Sequence, residues 1–252
     1  YRHVWLNTFD ETHLAEDGVF AHATLDGKNA TLTVETEVAN EGNTTSGLTT
    51  EVVLSDRNGT IVARSTPQNL ELEVNKSGAT RHVLTVSNPR RWTLHDPYLY
   101  RIQVNLKKAG KLVDRQTSKF GFRKVEIKPD GLFLNGEKLK ILGVNCHQDH
   151  AGVGSALPDY LQYYRIKLLK NLGVNAYRTS HNPPTPELLD ACDSLGMLVM
   201  DETRLLNSGA EYLTQFEKLL RRDRSRTSVF MWSIGNEEGW IHTTPTGKRI
   251  AE

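Results

Sequence analysis

The sequence predicts two units built on different rules. An antiparallel β-sandwich runs to about residue 122, and a parallel β/α unit follows from about residue 128. Three observations carry this. Apolar residues alternate with polar ones in the first half, turn-forming pairs punctuate those runs, and after residue 128 short apolar strands take turns with longer helical patterns.

In the first half, Leu32, Val34 and Val38 alternate with polar neighbours, as do Ile102, Val104 and Leu106, the period-two signature of half-buried strands. Turns are expected at Asp26-Gly27, Asp56-Arg57-Asn58-Gly59, Lys76-Ser77-Gly78 and Ala109-Gly110. Seven or so short strands over this length fit an immunoglobulin-like sandwich. No cysteine pair lies here, so its apolar faces must hold it. His3, His13, His22, His82 and His95 are scattered and form no catalytic constellation.

In the second half, Ile141 to Asn145 reads as a buried strand. Asp159 to Leu172 places Leu161, Tyr164, Leu168 and Leu172 on one face of a helix that Gly173 ends. Asn175 to Arg178 is a second strand. Thr185 and Pro186 offer an N-cap and a first-turn proline, and the helix they start stops at Gly196. Met197 to Met200 is a third strand. Tyr212, Phe216 and Leu219 stripe a third helix, and Val229 to Ile234 is a fourth strand. Such repetition implies parallel strands joined by right-handed crossovers.

Each of these strands ends in chemically useful groups: Asn145 and His147; Arg178, Ser180 and His181; Asp201 and Glu202; Asn236 and Glu237. In a parallel β/α barrel such ends converge on one face, where sites are built. The run Phe230 to Glu238 is the most informative, because an apolar strand that surfaces into Asn236-Glu237 holds a carboxyl group rigidly enough for proton transfer.

Composition bounds the alternatives. Of 252 residues, 38% are hydrophobic and 24% charged, with 31 basic against 30 acidic side chains. That balance gives no global field for nucleic acid or an anionic membrane, and no apolar run reaches the roughly 20 residues of a membrane span. The run Arg221 to Arg226 is expected to be a solvated helix end. Cys146 and Cys192 have no metal-ligand spacing and are expected as free thiols. No cofactor is implied, a homo-oligomer is left open, and the compartment is not legible.

These pieces resemble glycoside hydrolase family 2, the β-galactosidase and β-glucuronidase family. The matching segments are Gly121-Phe122-Arg123, Leu134-Asn135-Gly136, Gly143-Val144-Asn145 with His147, Tyr177 to Pro183, Asp201-Glu202 and Trp232 to Glu237. Trp92 to Tyr100 is similar to the family's Trp-to-Pro-x-Leu-Tyr segment. The resemblance implies residues 1–12 as the exit of a jelly-roll domain, 13–122 as the immunoglobulin-like sandwich, and 123–252 as strands one to four of a TIM (β/α)8 barrel.

The same resemblance implies a retaining hydrolase of terminal β-linked sugars with Glu237 as general acid/base and Asn236 on the sugar's 2-hydroxyl. It gives His181, Arg178 and His147 the task of lining the sugar pocket or ordering the carboxylates, and Asn145 a place among the substrate-binding residues. Arg178 can equally form an ion pair inside the barrel end. For Asp201 and Glu202, sugar contact and a supporting ion pair are both open. Glu238 is given no role. The family's nucleophile belongs to the seventh barrel strand, so no residue here is assigned it, and the chain alone is expected to be inert. Leu206 and Ser208 stand where the large β-galactosidases carry magnesium ligands, which argues against that metal here. A β-galactoside is the favoured substrate, with β-glucuronide, a non-catalytic carbohydrate-binding or assembly piece, and another barrel hydrolase as alternatives.

Overall fold

The computed structural model describes residues 3–252, apart from the side chains at positions 240, 242, 250 and 251. Tyr1 and Arg2, the start of the expected exit segment, lie outside the described residues. The chain divides into two compact units, one formed by Val4–Arg91 and Tyr98–Lys124, the other by Trp92–Pro97 and Val125–Glu252 together with His3.

The first unit is a β-sandwich. Its strands are β1 (Thr12–Asp26), β2 (Asn29–Asn40), β3 (Ser46–Ser55), β4 (Ile61–Arg64), β5 (Gln68–Leu72), β6 (Lys76–Ser87), β7 (Tyr100–Lys108) and β8 (Lys111–Phe120). One sheet has the order β1-β2-β6; the other runs β4-β3-β7-β8, with β5 also paired to β3. Every pairing is antiparallel. The alternating residues meet between the sheets: Leu32, Val34, Val38, Leu54, Ile102, Val104 and Leu106 share one core. Thr50 on β3 reaches Thr80 at 2.8 Å and His82 Nε2 at 2.9 Å on β6, a polar bridge inside that core. Burial lowers the basicity of His82, which suits it to a neutral hydrogen bond. One expected turn lies elsewhere. Lys76, Ser77 and Gly78 belong to β6, and the chain reverses at Val74-Asn75, where Asn75 adopts φ 56°. Asparagine tolerates that left-handed conformation better than most residues, so the turn needs no glycine.

The second unit opens with a small antiparallel sheet of β9 (Val125–Lys128), β10 (Gly131–Leu134) and β11 (Glu137–Leu139). Then come β12 (Gly143–Asn145), α1 (Asp159–Asn171), β13 (Ala176–Arg178), α2 (Pro186–Leu195), β14 (Leu198–Glu202), α3 (Ala210–Asp223), β15 (Val229–Ser233), α4 (Gly239–His242) and α5 (Pro245–Ala251). The four later strands are parallel and lie in the order β12-β13-β14-β15. Ile166, Tyr177, Leu189, Cys192, Met197 and Val199 form the core beneath the helices.

The helix boundaries follow the sequence signals. Thr185 caps α2 by accepting from Leu188 N, Pro186 occupies its first turn, and Gly196 ends it with φ 74°. Phe216 and Leu219 lie on the inward side of α3, as striped. For α1 the face is different: Gln162, Ile166 and Leu169 pack inward, whereas Tyr164, Leu168 and Leu172 are exposed. The basic run is also not a solvated end. Arg222 pairs with Asp223 at 2.5 Å, and Arg226 joins Asp190 and Asp193, so two of its arginines neutralise carboxylates. Asp193 and Asp223 are buried outright.

Trp92–Pro97 belongs to this unit although sandwich strands flank it in sequence. Trp92 is fully buried; its indole N–H donates to the Asp193 carbonyl at 2.8 Å and its carbonyl accepts from Asn135 at 2.9 Å. Lys170 donates to the carbonyls of Leu94 and Gly196, tying α1 and the end of α2 to the same segment.

Candidate active site

Backbone register brings the strand ends together. Asn145 pairs with Arg178 across β12 and β13, Arg178 with Met200 across β13 and β14, and Glu202 with Ser233 across β14 and β15. The β14–β15 register shifts by one residue between Val199 and Met200, so that Phe230 is the extra residue of a bulge in β15. Without it, simple alternation from the core residue Val229 would send Ser233 toward the helices. With it, Trp232 packs on the helix side and Ser233 turns to Glu202, the re-aiming that bulges perform near functional sites.

Glu202 is the hub. Its carboxylate is fully buried and accepts from Arg178 Nε at 2.6 Å, His181 Nδ1 at 2.6 Å and Ser233 Oγ at 2.8 Å. Its backbone N–H donates to Thr179 Oγ1 at 2.9 Å. A buried carboxylate is tolerated when a cation and several donors surround it, and here both are present. Arg178 spends its remaining reach on Asn236, donating from Nη2 to the side-chain oxygen at 2.8 Å. The Asn236 backbone N–H donates to Glu238 Oε2 at 2.7 Å, which folds the segment after β15 back on itself. Gly235 sits inside that fold, and a Cβ there would lie 2.6 Å from Leu206 Cβ.

The sequence-predicted residues therefore separate. Arg178, His181, Glu202 and Asn236 form one network, with His147 edge-on to His181 at 5.3 Å between ring centroids. Glu237 follows Asn236 directly and is exposed at the same strand ends. Asn145 is exposed at the end of β12 and makes no side-chain hydrogen bond to the network among the described residues. Of the two readings for Arg178 and Glu202, the ion pair is the one they make. Asp201 is not part of the site. Fully buried, it faces the helix side of β14, where Asp223 of α3 is its charged neighbour. Burial, reinforced by the Asp223 charge, pushes its carboxyl up to about 8. Ser233, Thr179 and Glu238 are supports of the network that sequence reasoning missed; the bulge hid Ser233, and the other two act through hydrogen bonds that only the fold creates.

A cleft of about 690 Å3 borders Ser233 and Asn236 along β15, with Met200, Met231, Leu206 and Lys248 in its walls. Leu206 is buried and offers no oxygen, so the residues at this strand end do not fit a magnesium site of the large β-galactosidase type.

Comparison with known proteins identifies the family and the fold. The model for glycosyl hydrolases family 2 matches residues 12–123, and that for the glycosyl hydrolases family 2 TIM barrel domain matches residues 125–211. A β-galactosidase of Bacteroides ovatus is 35% identical over 95% of this chain, and a putative β-glucuronidase of Formosa agariphila is 30% identical over 95% of it. A family 2 glycosyl hydrolase from Bacteroides cellulosilyticus superposes with a TM-score of 0.86 at 31% identity, covering 91% of this chain and 31% of its own. The chain spans only 30% and 29% of the lengths of those two curated relatives. The sandwich, the parallel strands and the residues gathered at their ends thus lead to one conclusion, that this chain belongs to glycoside hydrolase family 2.

Proposed function

We propose that this chain carries the acid/base half of the active site of a retaining β-glycosidase, with Glu237 donating the proton to the glycosidic oxygen. The observation that carries this reading is the placement of an exposed carboxyl group immediately after Asn236, whose side chain is held by Arg178 at 2.8 Å in a network anchored on a buried carboxylate. A proton donor works best when its neighbours are rigid and its own carboxyl is accessible, and Glu237 is exposed beside an Asn236 that Arg178 holds. Asn236 precedes it directly, His181 belongs to the same Glu202-centred network, and His147 lies edge-on to His181. Retention needs a second carboxylate about 5–5.5 Å from the first. The family resemblance puts that group on a later barrel strand, and no residue of 1–252 is assigned the role.

A terminal β-galactoside is the favoured substrate, supported by similarity to several β-galactosidases. A β-glucuronide is the second reading, supported by the Formosa agariphila relative and by similarity to a Bacteroides uniformis β-glucuronidase structure, TM-score 0.83 at 26% identity.

The test is an activity panel on the full-length polypeptide that includes these residues. Glu237→Gln should lower kcat/KM for an alkyl β-galactoside by about 10^2- to 10^4-fold, the usual yield of general acid catalysis. The loss in the glycosylation step should shrink with a dinitrophenyl leaving group, which departs without a proton. Equal losses on both leaving groups would remove Glu237 as the acid, and preference for the aryl β-glucuronide would decide for the second substrate.

A further inference from the structure

We infer that Glu202 is a positioning residue that sets the hydrogen-bond polarity of the strand-end site: it makes His181 Nε2 an acceptor for a ligand hydroxyl and, through Arg178, makes the Asn236 amide a donor to a ligand oxygen. This rests on the glycosidase reading for the identity of the ligand, but the polarity itself follows from the protein alone.

Glu202 is fully buried beneath Arg178, His181 and Ser233, so whatever it does passes through these partners. Its Oε1 lies 2.6 Å from His181 Nδ1. A carboxylate oxygen only accepts, so the imidazole proton sits on Nδ1. Arg178 Nη2 also approaches that nitrogen, at 3.5 Å, and a guanidinium only donates. The two contacts demand opposite tautomers. The shorter contact wins, because the same Nη2 already donates to Asn236 at 2.8 Å. With that proton on Nδ1, the neutral form of the ring keeps a lone pair on Nε2, which has no partner among the described residues.

Arg178 performs the matching operation on Asn236. Its Nε is held by Glu202 Oε2 at 2.6 Å, which fixes the guanidinium plane, and its Nη2 then faces the amide. A donor-only neighbour forces the amide oxygen inward and leaves Nδ2 with its N–H groups free. One buried carboxylate thus writes two instructions: accept at His181, donate at Asn236. A polyhydroxylated ring satisfies both, with one hydroxyl giving its hydrogen and another offering its oxygen. A fluorine at the position facing His181 would fail, since it never donates.

Glu202→Gln supplies a sharp test. The groups around Oε2 are the Arg178 and Ser233 donors, so the new amide oxygen belongs there. The amide nitrogen must then face His181 Nδ1, and because it donates, it drives the proton to Nε2. The variant keeps shape and most hydrogen bonds yet reverses the ring. With 15N-histidine in the full 252-residue chain, two-bond proton–nitrogen correlation of the neutral ring, assigned by its loss in His181→Phe, should show the Nδ1–H form in the parent and the Nε2–H form in Glu202→Gln. A parent ring protonated on Nε2 would overturn the inference without any variant. So would an unchanged tautomer in a Glu202→Gln chain whose amide fingerprint is otherwise native. The readout needs no turnover, so a silent glycoside panel would sink the catalytic reading and leave this one standing, and the reverse outcome is equally visible.

Discussion

Asp201 and Glu202 are neighbours in sequence on opposite sides of β14, and their surroundings treat them in opposite ways. Glu202 has three side-chain donors. No side-chain cation or hydroxyl hydrogen-bonds Asp201 among the described residues, and Asp223 adds a second buried carboxylate beside it. The folded chain therefore holds a proton on Asp201 up to about pH 8, whereas the unfolded chain releases it near 3.8. A raised carboxylate pKa means that stability is greatest below the unfolded value and falls as pH rises toward the folded one, by about 1.4 kcal/mol per pH unit for a single group. Asp201→Asn keeps the shape and removes the titration. Urea midpoints measured across pH 4 to 8 should fall for the parent and stay flatter for the variant, and parallel curves would show that the proton is not held there. None of this was legible in the sequence, where Asp201-Glu202 reads as one acidic strand end. Which of the two faces the site depends on the phase of β14, and a carboxylate's burial depends on what α3 brings against it.

At the scale of elements, helix ends were legible because their chemistry is local. Thr185, Pro186 and Gly196 act within a few residues of α2, and all three appear in their expected roles. The face of α1 was not legible, since its apolar positions do not coincide with the side that β-strands and α2 cover. Gly196 carries more than a helix stop. Its φ of 74° is costly for an L-residue, and a Cβ there would lie 2.5 Å from the Leu94 carbonyl oxygen. The left-handed conformation alone costs about 1–2 kcal/mol for alanine, and the clash with rigid backbone adds to it. Gly196→Ala should lower the unfolding free energy measured in urea by at least that amount, and a neutral effect would mean that Leu94 does not approach so closely. The bulge in β15 lies at the other extreme. It consists of one extra residue, leaves no mark in composition, and decides which way Ser233 points.

At the scale of the molecule, the two units were legible in outline because period two and period 3.6 patterns do not mix. Asn236-Glu237 was legible for the same reason that Ser233 was not: contiguous motifs survive in one dimension, and contacts made across strands do not. The parallel sheet ends in β12 on one side and β15 on the other, each with a flank that no described strand covers. Such edges template pairing with other chains. Sedimentation velocity on residues 1–252 should show association that grows with concentration, and a chain monomeric throughout would count against active edges.

The return of the chain from Arg91 to Tyr98 by way of Trp92 has a bearing on how this architecture is inherited. A gene exchange that joined a foreign sandwich at residue 124 would bring in a stranger's version of Trp92 and Leu94, the groups that meet Asp193, Asn135 and Gly196. Modules sewn together by a thread that doubles back cannot be swapped at a single seam. Lineages that shuffle them must either carry the six-residue stitch along with the barrel or rebuild its socket.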